Sequence, residues 1–316
     1  VPLIGEEWRI ELHVIVVFID GVGLGEPSLE NPFVFTETPF LKKLLRGNPL
    51  TRETSGFHNE EATLWALDAQ LGVSGLPQSA TGQATLFTGI NAPRRLGYHL
   101  NGFPNQPLRE LLAAEGIFAS LREKGYRCTF VNAYRPKFFE KLKQGLPGSR
   151  YSCSTLVTYY GKLPFYNLDD LKAGKALYMD LTNELLNEMG FSVIEITPEE
   201  AGKRLVKIGS NFDFTLFEYF ISDYAGHLAD REKASRVISR LDRFLGAAVE
   251  HFEPGETLLI ITSDHGNMED LSHGNHTLNR VPALLIGAES VRRKITPLLR
   301  DLTDILPAIQ IALAAG

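Results

Sequence analysis

Cysteine is nearly absent from this chain of 316 residues, with only Cys128 and Cys153 present. Two thiols make no disulfide framework and exclude a thiol-rich metal site, so a reducing cytoplasmic location is the default expectation. No apolar stretch reaches the ~20 residues that a membrane span needs. No long basic run exists and the net charge is −6, so nucleic acid is not expected as a partner. The N-terminus has no basic segment followed by an apolar one, so no secretion leader is expected, although the sequence begins at Val1 rather than Met. Repeats and low-complexity tails are missing too. The remainder is 44% hydrophobic and 22% charged, which is the composition of a packed globular core. The length suits one large domain or a core with an insert, and nothing in it fixes the oligomeric state.

Residues 12–19 form a near-continuous apolar run, the pattern of a strand buried on both faces. Further strands are expected at 126–131, 214–221, 258–262 and 282–286. Helices are expected at 38–46, 82–90, 108–124, 198–208, 232–251 and 297–313, with the last broken or restarted at Pro307. Thr197 and Pro198 read as N-cap and first helical residue. Residues 91–107 read as a loop. Alternating strands and helices predict an α/β fold with a mostly parallel sheet. Residues 134–190 are aromatic, rich in Pro and Gly, and less periodic. They divide the chain into a core, 1–133 plus 191–316, and a small insertion or cap, 134–190.

Three distant segments place oxygen and nitrogen ligands just after an apolar strand: Phe18-Ile19-Asp20-Gly21, Asp223-Tyr224-Ala225-Gly226-His227, and Ser263-Asp264-His265-Gly266-Asn267. His273-Gly274-Asn275-His276-Thr277 follows. Ligands of open α/β sheets bind beyond the carboxyl ends of the strands. Adjacent strands would therefore bring Asp20, Asp223 and Asp264 to one sheet edge. His227 lies one helical turn after Asp223, so both can reach the same ion. Asp264 and His265 are neighbours whose side chains should diverge. Taken singly, each piece reads as ordinary structure, an Asp as a turn former or His276 as a hydrogen-bonded core residue. Taken together, the shared order and strand context point to two divalent metal ions, a recurring device for displacement at phosphorus. Mixed carboxylate and imidazole ligands suit Mn or Zn better than Mg. His273 is a second-shell candidate. His13, His58, His99 and His251 read as structural.

A nucleophile candidate lies in Gln78-Ser79-Ala80-Thr81-Gly82, a turn entering a helix. Unpaired N–H groups at a helix start favour phosphate, and metal coordination makes a hydroxyl a usable nucleophile. Both Ser79 and Thr81 qualify on chemistry, and both also read as a plain helix cap. Arg94, Arg95 and Arg135 sit in loops near this helix or the insert, where an arginine can bind phosphate.

These pieces, in this order and with His276-Thr277-Leu278-Asn279-Arg280-Val281-Pro282 behind them, resemble the alkaline phosphatase superfamily. Within it the chain looks most like the branch of cofactor-independent phosphoglycerate mutases and phosphopentomutases. The resemblance implies a three-layer α/β/α core with a mostly parallel sheet. It implies one metal on Asp223, His227 and His276, and another on Asp20, Asp264 and His265. It also implies Ser79 rather than Thr81 as the nucleophile and ligand on the second metal. A phospho-enzyme would form there and pass its phosphoryl group to water or a second hydroxyl.

The departures shape the expected activity. No arginine-rich motif that clamps phosphoglycerate is visible in 134–190, and the chain is shorter than either mutase. A small open cap suits hydrolysis, because a mutase must close over its intermediate. The leading expectation is a phosphomonoester hydrolase acting on a small phosphorylated substrate. A phosphomutase comes next, then a phosphodiesterase, then a catalytically silent metal-binding module.

Overall fold

The computed structural model describes residues 12–145 and 150–315. The terminal residues on which the expectation about a leader rests lie outside that range. Among the described residues there are seven strands: β1 (His13–Ile19), β2 (Phe57–His58), β3 (Ala62–Leu67), β4 (Cys128–Phe130), β5 (Phe214–Tyr219), β6 (Thr257–Thr262) and β7 (Val281–Gly287). They form one open sheet in the order β2-β3-β7-β6-β1-β5-β4. β4, β5, β1 and β6 run parallel, whereas β7 is antiparallel to both β6 and β3.

The alternation along β1 explains its central place. Val14, Val16 and Phe18 enter one core face, while Ile15, Val17 and Ile19 enter the other. A strand side chain has period two, so a run apolar at every position is stable only with both faces covered. Each such burial contributes about 1.5–3 kcal/mol relative to exposure. One face is covered by helices that include Ser79–Thr88, Gln106–Glu115 and Ile305–Ala315. The other is covered by Pro198–Gly209 and Arg231–His251. These are the layers of the expected three-layer α/β/α core.

The helix Pro198–Gly209 starts as the sequence indicates, with a capping box in which Thr197 and Glu200 satisfy each other's backbone N–H. Elsewhere the structure corrects the reading. Residues 91–107 are not all loop: Asn91 caps a short helix, Ala92–Leu96, that Gly97 ends. The closing segment is not one helix from 297. Two 3-10 turns, Thr296–Leu298 and Leu302–Asp304, precede Ile305–Ala315, which runs through Pro307. Pro307 is tolerated because it falls in the first turn, where its missing N–H has no partner to lose.

Within 134–190, the helix Cys153–Tyr160 packs into the main core through Leu156 and Val157. Leu171, Ala176, Tyr178 and Leu186 form a separate small cluster with Ala133 and Val193. Tyr134, Phe138, Tyr151 and Phe165 contact one another as an aromatic group. Among the described residues, no helix is long and apolar enough to cross a membrane.

Candidate metal centre

β6, β1 and β5 are neighbours, and the chain leaves their carboxyl ends at Asp264, Asp20 and Asp223 respectively. β7 runs the opposite way, so its start lies at the rim where those strands end. This reversal brings His276, five residues before Val281, to the same place. The centre is therefore assembled by topology from four separated segments.

Two close approaches hold these segments together. Gly21 has a φ of 69°, and a Cβ there would lie 2.5 Å from Asp223 Oδ1. Only glycine suits both the left-handed turn and the contact. A Cβ on Gly82 would lie 2.6 Å from the Asp264 carbonyl oxygen, so the helix Ser79–Thr88 sits directly on the β6 turn.

Two compact groups result. Asp223, His227 and His276 form one, and Asp20, Asp264 and His265 the other, with ligand atoms in each within 4.8 Å of one another. In the first, His227 Nε2 lies 3.3 Å from Asp223 Oδ2 and 3.3 Å from His276 Nε2. In the second, His265 Nε2 lies 3.3 Å from Asp20 Oδ1 and 3.5 Å from Asp264 Oδ2. Asp264 and His265 thus converge, contrary to the divergence expected of neighbours. The stacked rings of His265 and His276, 3.8 Å apart, join the groups.

The atoms fit cations. His276 Nδ1–H donates to the Pro77 carbonyl at 2.8 Å, and His227 Nδ1–H donates to that of Gly274 at 2.7 Å. With the outer nitrogen protonated, each neutral ring presents a lone pair at Nε2. The two Nε2 atoms then face each other, which is unfavourable until a cation lies between them. Asp20 Oδ1 is buried and has no hydrogen-bond partner. Burial pushes the Asp20 carboxyl well up, with Asp264 adding to the effect, and burial raises Asp264 as well. Burial alone would depress the His265 imidazole, but Asp264 and Asp20 outweigh it and push it up to about 10. Burial and the charge of His265 push His276 down to about 4. The raised Asp20, Asp264 and His265 are the signs of negative charge lacking its counter-cation, while burial beside His265 keeps His276 neutral.

Ser79 opens its helix, and its Oγ lies 3.0 Å from His265 Nε2. Thr81 is buried and already engaged: its hydroxyl donates to the Gln78 carbonyl and accepts from Leu100 N–H. Both Ser79 and the ligand set line a cleft of about 1010 Å3 through Asp20, Asp223 and His227. Arg135 also lines it. Arg94 and Arg95 do not: they stand at the end of the helix Ala92–Leu96, away from the cleft lining. His273 pairs with Asp270 at 3.7 Å rather than with a candidate ligand.

Several residues that shape the centre were not among the candidate site residues, although Asn267 lies inside a quoted motif. Gln83 Nε2 donates to both Asp20 Oδ2 and Asp264 Oδ2, each at 3.2 Å. Its spacing, one turn after Ser79 on the same helix, is the sequence clue to it. Asn267 Nδ2 donates to Asp223 Oδ1 at 2.7 Å. Glu269 is buried and accepts from Gly23 N–H and Asn267 N–H, both at 2.7 Å, and from Thr277 Oγ1. It thereby ties three ligand segments together.

Residues 193–311 match a family model described as the Metalloenzyme superfamily. A 2,3-bisphosphoglycerate-independent phosphoglycerate mutase of Cereibacter sphaeroides is 32% identical over 120 residues, 35% of this chain and 24% of that protein. The enzyme of the same description from Thermococcus kodakarensis is 26% identical over 161 residues, 47% of this chain and 38% of that protein. The chain therefore spans well under half the length of these relatives. Over the whole fold, the PH0037 protein of Pyrococcus horikoshii superposes with a TM-score of 0.58 at 14% identity, covering 98% of this chain and 99% of that one. Through residues 193–311 the chain is thus similar to the Metalloenzyme superfamily, and the two candidate ligand groups accord with that likeness. Its sequence similarity to 2,3-bisphosphoglycerate-independent phosphoglycerate mutases extends over part of each chain.

Proposed function

We propose that the chain transfers a phosphoryl group from a small phosphate ester through a phosphoserine at Ser79, and that the acceptor is a hydroxyl of the same organic molecule. Divalent ions, Mn or Zn, would be held by Asp223, His227 and His276 on one side and by Asp20, Asp264, His265 and Ser79 on the other. When bound they would neutralise phosphate oxygens and lower the pKa of the serine hydroxyl. The residues do the rest. Ser79 Oγ attacks phosphorus and the ester oxygen leaves; attack by an alcohol oxygen then restores the serine. Gln83 holds Asp20 and Asp264 in place by donating to both. At the start of the helix Ser79–Thr88 the Thr81 N–H is taken by the Leu100 carbonyl, so the N–H groups before it would face the phosphate.

The observation that carries this reading is the 3.0 Å approach of Ser79 Oγ to the Asp20–Asp264–His265 group. The mutase reading is preferred here to the hydrolytic one expected from the small cap, because the similarity to phosphoglycerate mutases of Cereibacter sphaeroides and Thermococcus kodakarensis supports it. Hydrolysis keeps one structural argument, the exposed side chain of His227, which opens the centre to water.

Turnover of 4-nitrophenyl phosphate and 3-phosphoglycerate by the manganese-loaded chain tests the reading, with free phosphate and isomerised ester measured together. Ser79→Ala should lower kcat by on the order of 10^3 or more while keeping its metals. Undiminished turnover would remove Ser79 from the mechanism, and free phosphate as the sole product would replace the mutase reading by the hydrolytic one.

A further inference from the structure

The cleft is much larger than a phosphoryl group and a short alcohol need, and its lining has a definite character. The protein is acidic overall, with net charge −6, yet Arg135, Lys137, Lys141 and Arg150 all line the cleft. Among the described residues none of the four forms an ion pair; Arg135 instead reaches the sulfur of Met189. Lys137 and Lys141 are one turn apart on the helix Pro136–Lys143 and share a face. The lining also holds Asp180, Glu184 and Glu188, but among the described residues Glu184 pairs with Arg240 and none of the three pairs with these four cations, so this wall presents an unpaired positive field to an anion. The candidate ligand groups lie at Asp20, Ser79 and Asp223, on other segments of the lining. A second anionic group, distinct from the reacting phosphate, is what this basic wall suits.

Aromatic rings provide the second character. Phe220 and Tyr224 line the cleft and are 40% and 65% exposed. They stand four residues apart at the start of the helix Ile221–Leu228, which also carries the pair Asp223 and His227. Two helical turns therefore present two candidate metal ligands and two open rings on neighbouring stripes. Phe103, 45% exposed, lines the same cleft from a separate loop. Large rings left open to water beside a catalytic centre are platforms for a planar apolar group.

We propose that the alcohol part of the substrate carries a planar aromatic ring and a second anionic group, with the ring against Phe220 and Tyr224 and the anion against the Arg135–Arg150 wall. That is the chemistry of a nucleoside bisphosphate rather than of a phosphorylated three-carbon acid. The inference rests on the reading that the reacting phosphate sits at Ser79, but not on whether water or an alcohol accepts the phosphoryl group.

Calorimetric binding to the manganese-loaded full chain bearing Ser79→Ala separates the two. The probes are inorganic phosphate, 3-phosphoglycerate, adenosine 5′-monophosphate, which lacks the second anion, and adenosine 3′,5′-bisphosphate. The bisphosphate should bind about tenfold or more tightly than either of the other two esters. Phe220→Ala should shrink the preference of the monophosphate over 3-phosphoglycerate by about tenfold. Lys137→Ala combined with Lys141→Ala should shrink the preference of the bisphosphate over the monophosphate and reduce its salt dependence. Equal affinities for the three esters, or ratios that survive both variants, would overturn the substrate class. Failure of even inorganic phosphate to bind would overturn the Ser79 reading and this inference with it.

Discussion

Replacing Glu218 by Gln should change how stability depends on pH, by an amount that follows from its surroundings. Glu218 lies on β5 opposite Phe18 of β1, and by strand alternation it shares a sheet face with Leu216. Its carboxyl accepts from Ser154 Oγ at 2.6 Å, and the residue is buried. Burial pushes it up from 4.5 to about 7, with Asp264 adding and the Ser154 bond opposing. A folded pKa above the unfolded one means that the folded chain holds the proton more tightly. The stability contributed by the neutral acid is complete below pH 4.5 and is lost as pH rises to 7. Moving from 4.5 to about 7 corresponds to about 3 kcal/mol. Gln keeps the shape and can still accept from Ser154, but it carries no charge to bury. In urea unfolding of the metal-free chain from pH 4.5 to pH 8, the variant should gain about 3 kcal/mol relative to the parent across the interval. Asp20 and Asp264 titrate in both proteins, so most of their effect cancels in the difference. Manganese should shrink the gain, because a cation near Asp20 and Asp264 favours the Glu218 carboxylate in the parent. Parallel stability curves over the whole interval would refute the account of a buried carboxyl lacking a counter-charge.

Gly82→Ala should destabilise the fold by about 1–3 kcal/mol, because the new methyl meets the Asp264 carbonyl at 2.6 Å; an unchanged Tm would show that the helix can move away freely. His227→Ala should lower bound metal from two ions to one in elemental analysis. It removes a ligand from the exposed group and leaves the buried Asp20–Asp264–His265 group intact; two retained ions would break the proposed division of ligands.

The central strands were legible because burial on both faces leaves a mark that needs no partner to be read: β1 is apolar at every position. Asp20, Asp223 and Asp264 could be placed at one rim on the condition that their strands were neighbours, and the order β6-β1-β5 meets it. The direction of β7 was not legible. Val281–Gly287 is apolar throughout and buried throughout, and neither property distinguishes a parallel from an antiparallel strand. The short strand β2, two residues long, has no period to detect. The helix Ala92–Leu96 was hidden because Pro, Gly and Asn are as natural to its two caps as to a loop.

Within the centre, what could be read was the ligand chemistry, and what could not be read was the scaffold that aims it. Histidine and aspartate near a strand end declare themselves by residue type. Glu269 does not, since a carboxylate five residues after Asp264 is unremarkable until Gly23, Asn267 and Thr277 are seen to donate to it. The same holds for the backbone carbonyls of Pro77 and Gly274, which every residue possesses, yet which set the tautomers of His276 and His227. The different placement of Arg94 and Arg135 was equally hidden, because both are exposed and lie in or at the start of short helices, and only the tertiary packing sets Arg135 along the cleft. The two ligand groups also differ in a way no motif records: Asp20, Asp264 and His265 are all buried, whereas His227 is open to solvent. Coulombic attraction is weakened less in the drier group. An ion there would be held chiefly by charge in a low dielectric, and an ion at His227 would exchange more readily with water. That asymmetry suits a centre in which Ser79, beside the buried group, keeps a fixed position while substrates enter and leave across the exposed one.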